Sequence, residues 1–150
     1  MNLIDILEKD FIKVPLVSTT KEAVIKELVD VLASARELGQ SQRASVLEAV
    51  VNREALGSTG IGKGVCVPHA QSEDIEELSL VVGVSRVPID FDSPDNLKSK
   101  IFFLVVAPVK TPSTHVDVLA SIARTCSSDI FRRMLEQCKS SNEVLQLFSE

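Results

Sequence analysis

Apolar residues in this chain recur in two alternating rhythms, and the alternation predicts an α/β domain. Residues 11–16 form a short apolar-rich run around Pro15 and read as a first strand. Thr19-Thr20-Lys21-Glu22 has the pattern of a capping box, with Thr19 as N-cap and Glu22 at the third helical position. Beyond it Val24, Ile25, Leu28, Val31, Leu32 and Ala35 recur at helical spacing and give one face to a core. Gly39 reads as the stop of that helix. Ser41 reads as the cap of a second, with Val46, Leu47, Val50 and Val51 on one side, ending before Gly57. Residues 65–67 form a short strand ending at Pro68, and the β-branched run 78–84 is another. Residues 101–107 are apolar almost throughout, as in a central strand covered on both faces. Between these runs, residues 91–96 are turn chemistry. Thr114-His115-Val116-Asp117 is a second capping-box pattern, opening a helix that packs through Val118, Leu119, Ile122 and Ala123. Two short helices start near Ser128 and Ser140. The sum is a sheet of four or five strands with helices on both sides.

Composition narrows the function classes. The 150 residues suit one domain with a substantial core, and 45% hydrophobic with 25% charged residues is ordinary for a folded globular chain. No apolar run is long enough to span a bilayer, and the first ten residues lack a basic leader region, so a cytoplasmic location is expected. A net charge of −5 disfavours nucleic acid or an anionic membrane surface as a partner. Cys66, Cys126 and Cys138 are odd in number and show no C-x-x-C spacing, which points to thiols in a reducing compartment and gives no sign of a disulfide framework or zinc knuckle.

The chemistry concentrates at Gly57-Ser58-Thr59-Gly60-Ile61-Gly62-Lys63-Gly64-Val65-Cys66-Val67-Pro68-His69-Ala70. This stretch holds four of the six glycines and one of the two histidines. Its Gly57-x-x-x-x-Gly62-Lys63 matches most of a nucleotide-binding P-loop. That reading fails, because Gly64 stands where a hydroxyl is needed and the flanking elements come in the wrong order, helix before and strand after. Neutral imidazole is a nucleophile at physiological pH, and Pro68 fixes the backbone just before His69. The N–H groups of residues 60–64 are candidates to hold phosphoryl oxygens, with Thr59, Gly62, Lys63 and Gly64 the expected phosphate-binding set. Arg53 or Lys63 would add charge-assisted bonds. His115, read at the first position of its helix, would sit where the helix dipole favours neutral imidazole and bound anions.

Arg53-Glu54-x-x-Gly57-Ser58-Thr59-Gly60-Ile61-Gly62, then Gly64 to Ala70, resembles the phosphorylation-site signature of the enzyme IIA domains of the fructose/mannitol class, which the nitrogen-regulatory enzyme IIA proteins share. These domains belong to the phosphoenolpyruvate-dependent sugar phosphotransferase system. Residues 101–108 and the segment Thr114-His115-Val116-x-x-Leu119-Ala120-x-Ile122-Ala123-Arg124 are similar to the family's strand and second-histidine helix. The resemblance covers residues 1–150 as one domain and implies a three-layer α/β/α sandwich with a small mixed sheet. It implies that His69 accepts a phosphoryl group through Nε2 from HPr or an HPr-like carrier, with His115 and Arg53 assisting and no cofactor or metal. The recipient would be an enzyme IIB cysteine or, in the nitrogen-regulatory branch, regulated proteins such as a transporter or sensor kinase. With no IIB, HPr or membrane segment attached, a free-standing regulatory unit is the expected branch, with sugar uptake and a non-catalytic scaffold as alternatives. Lys63, Gln71 and the segment 95–100 depart from the family pattern, which bears on partner identity more than on the acceptor.

Overall fold

The computed structural model describes residues 1–111 and 113–150, with backbone alone at Ser113 and Thr114. Strand β1 (Ile12–Leu16) leads into helices α1 (Lys21–Ala35) and α2 (Gln40–Ala55). Short strands β2 (Gly60–Gly62), β3 (Val65–Cys66) and β4 (His69–Ser72) follow, then the long strands β5 (Ser79–Ile89) and β6 (Ser99–Pro108). Helices α3 (Ser113–Thr125), α4 (Asp129–Gln137) and α5 (Ser141–Ser149) complete the chain. No helix among the described residues is long and apolar enough to cross a membrane.

One mixed sheet runs in the order β1-β5-β6-β3-β2. β6 is its hub. Along one side it pairs antiparallel with β5. Along the other it pairs parallel with β3 at Ile101 and Phe102, then parallel with β4 from Val105 to Pro108. The continuous apolar run of β6 is explained by strand parity. Phe102, Leu104 and Val106 enter a core under α1 and α2, while Ile101, Phe103 and Val105 enter a second core under α3, α4 and α5. Helices therefore cover both faces, and the expected three-layer α/β/α sandwich is the observed fold.

The sheet has six strands, more than the four or five expected, because β2 and β4 carry no apolar alternation of their own. Helix boundaries also move. The cap of α1 is Thr20, whose hydroxyl accepts the Ala23 N–H at 3.3 Å, and not Thr19. After α1 the left-handed position is filled by Glu37 at φ 55°, and Gly39 is the N-cap of α2, its N–H donated to Gln42 Oε1 at 3.0 Å, in place of the Ser41 cap. Ser128 and Ser140 cap α4 and α5 as expected. The cap proposed at Thr114 lies outside the described side chains. The helix itself begins at Ser113, so His115 is its third residue and not its first.

Candidate active site at the edge of the sheet

His69 opens β4, an edge strand bonded to β6 alone among the described residues. Just before it the strand is interrupted. Pro68 has no N–H to give a neighbour, but its carbonyl accepts the Val105 N–H at 3.0 Å. The break turns the Val67 carbonyl toward the His69 ring, and His69 Nδ1 lies 2.8 Å from that oxygen. A carbonyl can only accept, so Nδ1 carries the proton. In the neutral ring the lone pair is then on Nε2, for which no described residue is a partner. Burial lowers the His69 pKa below its ordinary 6.5; the Arg53 and His115 charges push the same way, against the Val67 bond and Glu54. The neutral ring is the resting form at pH 7.

A shallow cavity of about 370 Å³ opens beside this ring, lined by Ala49, Arg53, His69, Ala70, Gln71 and His115. Its walls come from three elements. Ala49 and Arg53 are one turn apart on α2; His69 and Gln71 share the outward parity of β4; His115 comes from the first turn of α3. The two imidazoles are stacked, with centroids 5.8 Å apart and planes 26° apart. Nδ1 of His115 is buried and finds no hydrogen-bond partner among the described residues, an arrangement that costs about 1–3 kcal/mol until a partner arrives. Arg53 donates through Nη1 to the Gly57 carbonyl at 2.9 Å, which holds its guanidinium across the end of α2. The arrangement offers a nucleophilic nitrogen, a cation and a second imidazole around one open space, a set suited to an incoming anionic electrophile.

The structure thus brings together His69, His115 and Arg53. It does not bring Thr59, Gly62, Lys63 or Gly64 into this cavity. Lys63 and Gly64 line a different cavity, with Lys98, Lys100 and Arg132. Part of the expected cradle of N–H groups is also occupied. Thr59 N–H and hydroxyl go to the buried Glu54 carboxylate at 3.0 and 2.6 Å. Gly60 N–H goes to Ser58 Oγ at 3.1 Å, and Lys63 N–H to Asp95 Oδ2 at 2.8 Å. The glycines serve geometry instead. A Cβ at Gly60 would lie 2.2 Å from Ser93 Oγ, and Gly62 and Gly64 have φ of 90° and 81° in the β2–β3 turn. The three cysteines are buried free thiols, and burial pushes Cys66 up to about 11, far from a thiolate nucleophile.

Sequence reasoning missed Ala49, noted Gln71 only as a departure from the family pattern, and gave Glu54 no role. The first two carry signals: one helical turn before Arg53, and two strand residues after His69. Glu54 is visible only in three dimensions, paired to Lys21 Nζ at 2.9 Å across the α1–α2 layer.

The chain as a whole is similar to known proteins. Residues 5–150 match the family described as phosphoenolpyruvate-dependent sugar phosphotransferase system, EIIA 2. Among curated relatives, the PTS system fructose-specific EIIABC component of Bacillus subtilis (strain 168) is 29% identical over 150 residues, all of this chain but 23% of that protein, so the chain spans about a quarter of its length. A nitrogen regulatory protein of Klebsiella oxytoca is 34% identical over 127 residues, covering 83% of this chain and 76% of that one. Among solved structures, nitrogen regulatory protein IIA-Ntr from Neisseria meningitidis superposes with a TM-score of 0.87 at 27% identity, over 97% of this chain and 98% of that one. With the match extending over all but the first four residues, and a relative above 30% identity agreeing with it, the chain belongs to the EIIA 2 family of the phosphotransferase system, whose members are phosphohistidine-carrying phosphotransferases.

Proposed function

We propose that residues 1–150 act as one EIIA unit in which His69 Nε2 accepts a phosphoryl group from the phosphohistidine of HPr or an HPr-like carrier. The observation that supports this most directly is the 2.8 Å bond from His69 Nδ1–H to the Val67 carbonyl, which leaves Nε2 as the nucleophile. In the transfer, the Nε2 lone pair forms a bond to phosphorus as the P–N bond of the donor breaks. The released pair returns to the donor imidazole, and His69 keeps its Nδ1 proton throughout, so no general base is needed. The transferred group brings roughly two negative charges. Arg53 offsets them, and His115 gives them a hydrogen-bond donor from a ring that otherwise has a buried nitrogen unpaired. The Thr59, Gly62, Lys63 and Gly64 segment supports the histidine strand and does not grip the phosphoryl group.

Likeness to nitrogen regulatory proteins in both sequence and structure supports a regulatory branch, where the phosphorylation state changes the charge of a docking face and thereby the choice of transporter or sensor kinase. The fructose-specific relative, similar along the whole chain, supports the second reading, onward transfer to an enzyme IIB cysteine in sugar uptake. The test is intact-protein mass spectrometry after incubation with phosphoenolpyruvate, enzyme I and HPr, on wild type and His69→Ala. One acid-labile phosphoryl group on wild type alone is expected. Labelling of folded His69→Ala, or no labelling of wild type by any HPr paralogue, overturns the reading. Adding an enzyme IIB afterwards separates the branches: fast loss of label to IIB supports uptake, and retention supports regulation.

A further inference from the structure

We infer that Glu54 is a positioning residue that sets the tautomer of His69, acting through Thr59 and Val67. The inference rests on the reading of His69 as phosphoryl acceptor.

Glu54 follows Arg53 on the last turn of α2, yet the two side chains part. Arg53 lines the cavity, and Glu54 is buried at 7% exposure. Its Oε2 receives both the Thr59 N–H and the Lys21 ammonium, and its Oε1 receives the Thr59 hydroxyl in a short, charge-assisted bond. Thr59 is thereby clamped at two donors. Its carbonyl accepts the Val67 N–H at 3.0 Å. The carbonyl of Val67 in turn accepts His69 Nδ1–H. On the far side, Pro68 restricts the backbone and its own carbonyl is tied to Val105. The Val67 carbonyl is fixed from both ends, and the last link of the chain decides which ring nitrogen is left bare.

Two physical points make this more than continuity of bonds. First, the segment between Glu54 and His69 contains Gly57, Gly60, Gly62 and Gly64, each with wide conformational freedom. The β3–β6 ladder holds Val65 and Cys66, and beyond it the Val67 N–H is held by the Thr59 carbonyl, the last backbone tie before the Val67 carbonyl itself. Second, a buried carboxylate paired with a lysine contributes little net stability compared with apolar residues of the same shape. Holding a charge here is better explained by what it orients: a carboxylate has enough lone pairs to take three donors at once, which an amide cannot do.

The test uses the whole chain at pH 7.5 and two readouts. The ¹⁵N shifts of the His69 imidazole report its tautomer, and quench-flow labelling from phospho-HPr reports the rate. In wild type Nδ1–H dominates. Glu54→Gln and Thr59→Val should each raise the Nε2–H fraction and slow labelling at saturating donor about tenfold, with the half-saturating donor concentration little changed. Thr59→Ser should restore both. A folded variant whose tautomer is unchanged, or whose tautomer moves while the rate does not, overturns the inference. If Glu54→Gln fails to fold, Thr59→Val carries the test alone. A tautomer that responds to Glu54→Gln in a wild type that takes no phosphoryl group supports the link from Glu54 and overturns the acceptor reading instead.

Discussion

The glycine hairpin and the histidine cavity lie a few residues apart in the chain and differ in one decisive respect. In the hairpin, polar groups find partners inside the fold: Thr59 on Glu54, Gly60 on Ser58, Lys63 on Asp95. In the cavity, two nitrogens have no partner among the described residues, His69 Nε2 beside the open space and His115 Nδ1 buried. The hairpin is rich in donors that are already used, while the cavity holds nitrogens without a partner among the described residues. A site is marked by groups that the fold leaves unpaired, not by how many it gathers, because only an unpaired group gains free energy when a ligand arrives.

Substitutions on either side can break or sharpen that contrast. The largest effect is expected in the cavity: His69→Ala should abolish phosphoryl uptake while circular dichroism and melting remain close to wild type, since the ring is half-exposed at a strand edge. Arg53→Ala should slow labelling by about a hundredfold, the usual scale for removing one charged stabiliser from a transfer site. A loss below threefold in stopped-flow transfer would place Arg53 outside the reaction. At Gly60 in the hairpin the cost should appear in stability. Gly60→Ala drives a methyl group into Ser93 and should destabilise by about 2 kcal/mol in urea unfolding. Ser93→Gly in the same chain should recover most of it, and the labelling rate of folded protein should hardly move.

The pH dependence separates the regions more finely. The depressed His69 pKa means that, as pH falls through 6.5, the unfolded chain takes up this proton before the folded one. Stability should therefore fall with pH in the window at and below 6.5, and His69→Gln should remove that part of the slope in urea midpoints between pH 5.5 and 7.5. As the ring protonates, labelling should decline at a lower pH than the titration of an unperturbed imidazole would give. The smallest effect is expected at Lys63→Asn. Lys63 is exposed and left-handed at φ 58°, a conformation that asparagine tolerates well, so stability should change by about 0.5 kcal/mol or less and transfer by under twofold. A loss beyond tenfold would show that the hairpin contacts the donor protein.

How much of this was legible in the sequence depended on whether an element is defined by its own residues or by its neighbours. β5, β6 and the core faces of the helices announce themselves in runs such as Ile101-Phe102-Phe103-Leu104-Val105. β4, His-Ala-Gln-Ser, has no such signature and is a strand only because β6 offers it a ladder. Thr19 and Thr20 are chemically equal as caps, and the packing of α1 chooses between them. The two histidines and Arg53 were legible because histidine is rare and its contexts were distinctive. The expected phosphate set lies outside the cavity, and the acceptors that take the Thr59 and Lys63 N–H groups come from positions as remote as Asp95, 32 residues away from Lys63, which spacing along the chain does not reveal. Glu54 was named within the motif yet given no task, since its partner Lys21 lies on another helix.

β4 also has a consequence for how the molecule behaves in a crowded solution. An open strand edge is a template on which other chains can assemble into extended sheets. The proposed transfer from a second protein would require this edge to stay uncovered. Here the edge is kept to four residues, stopped at one end by Pro68 and followed at the other by Glu73 and Asp74. A ladder this short, with carboxylates directly after it, disfavours pairing with the same edge of a second copy.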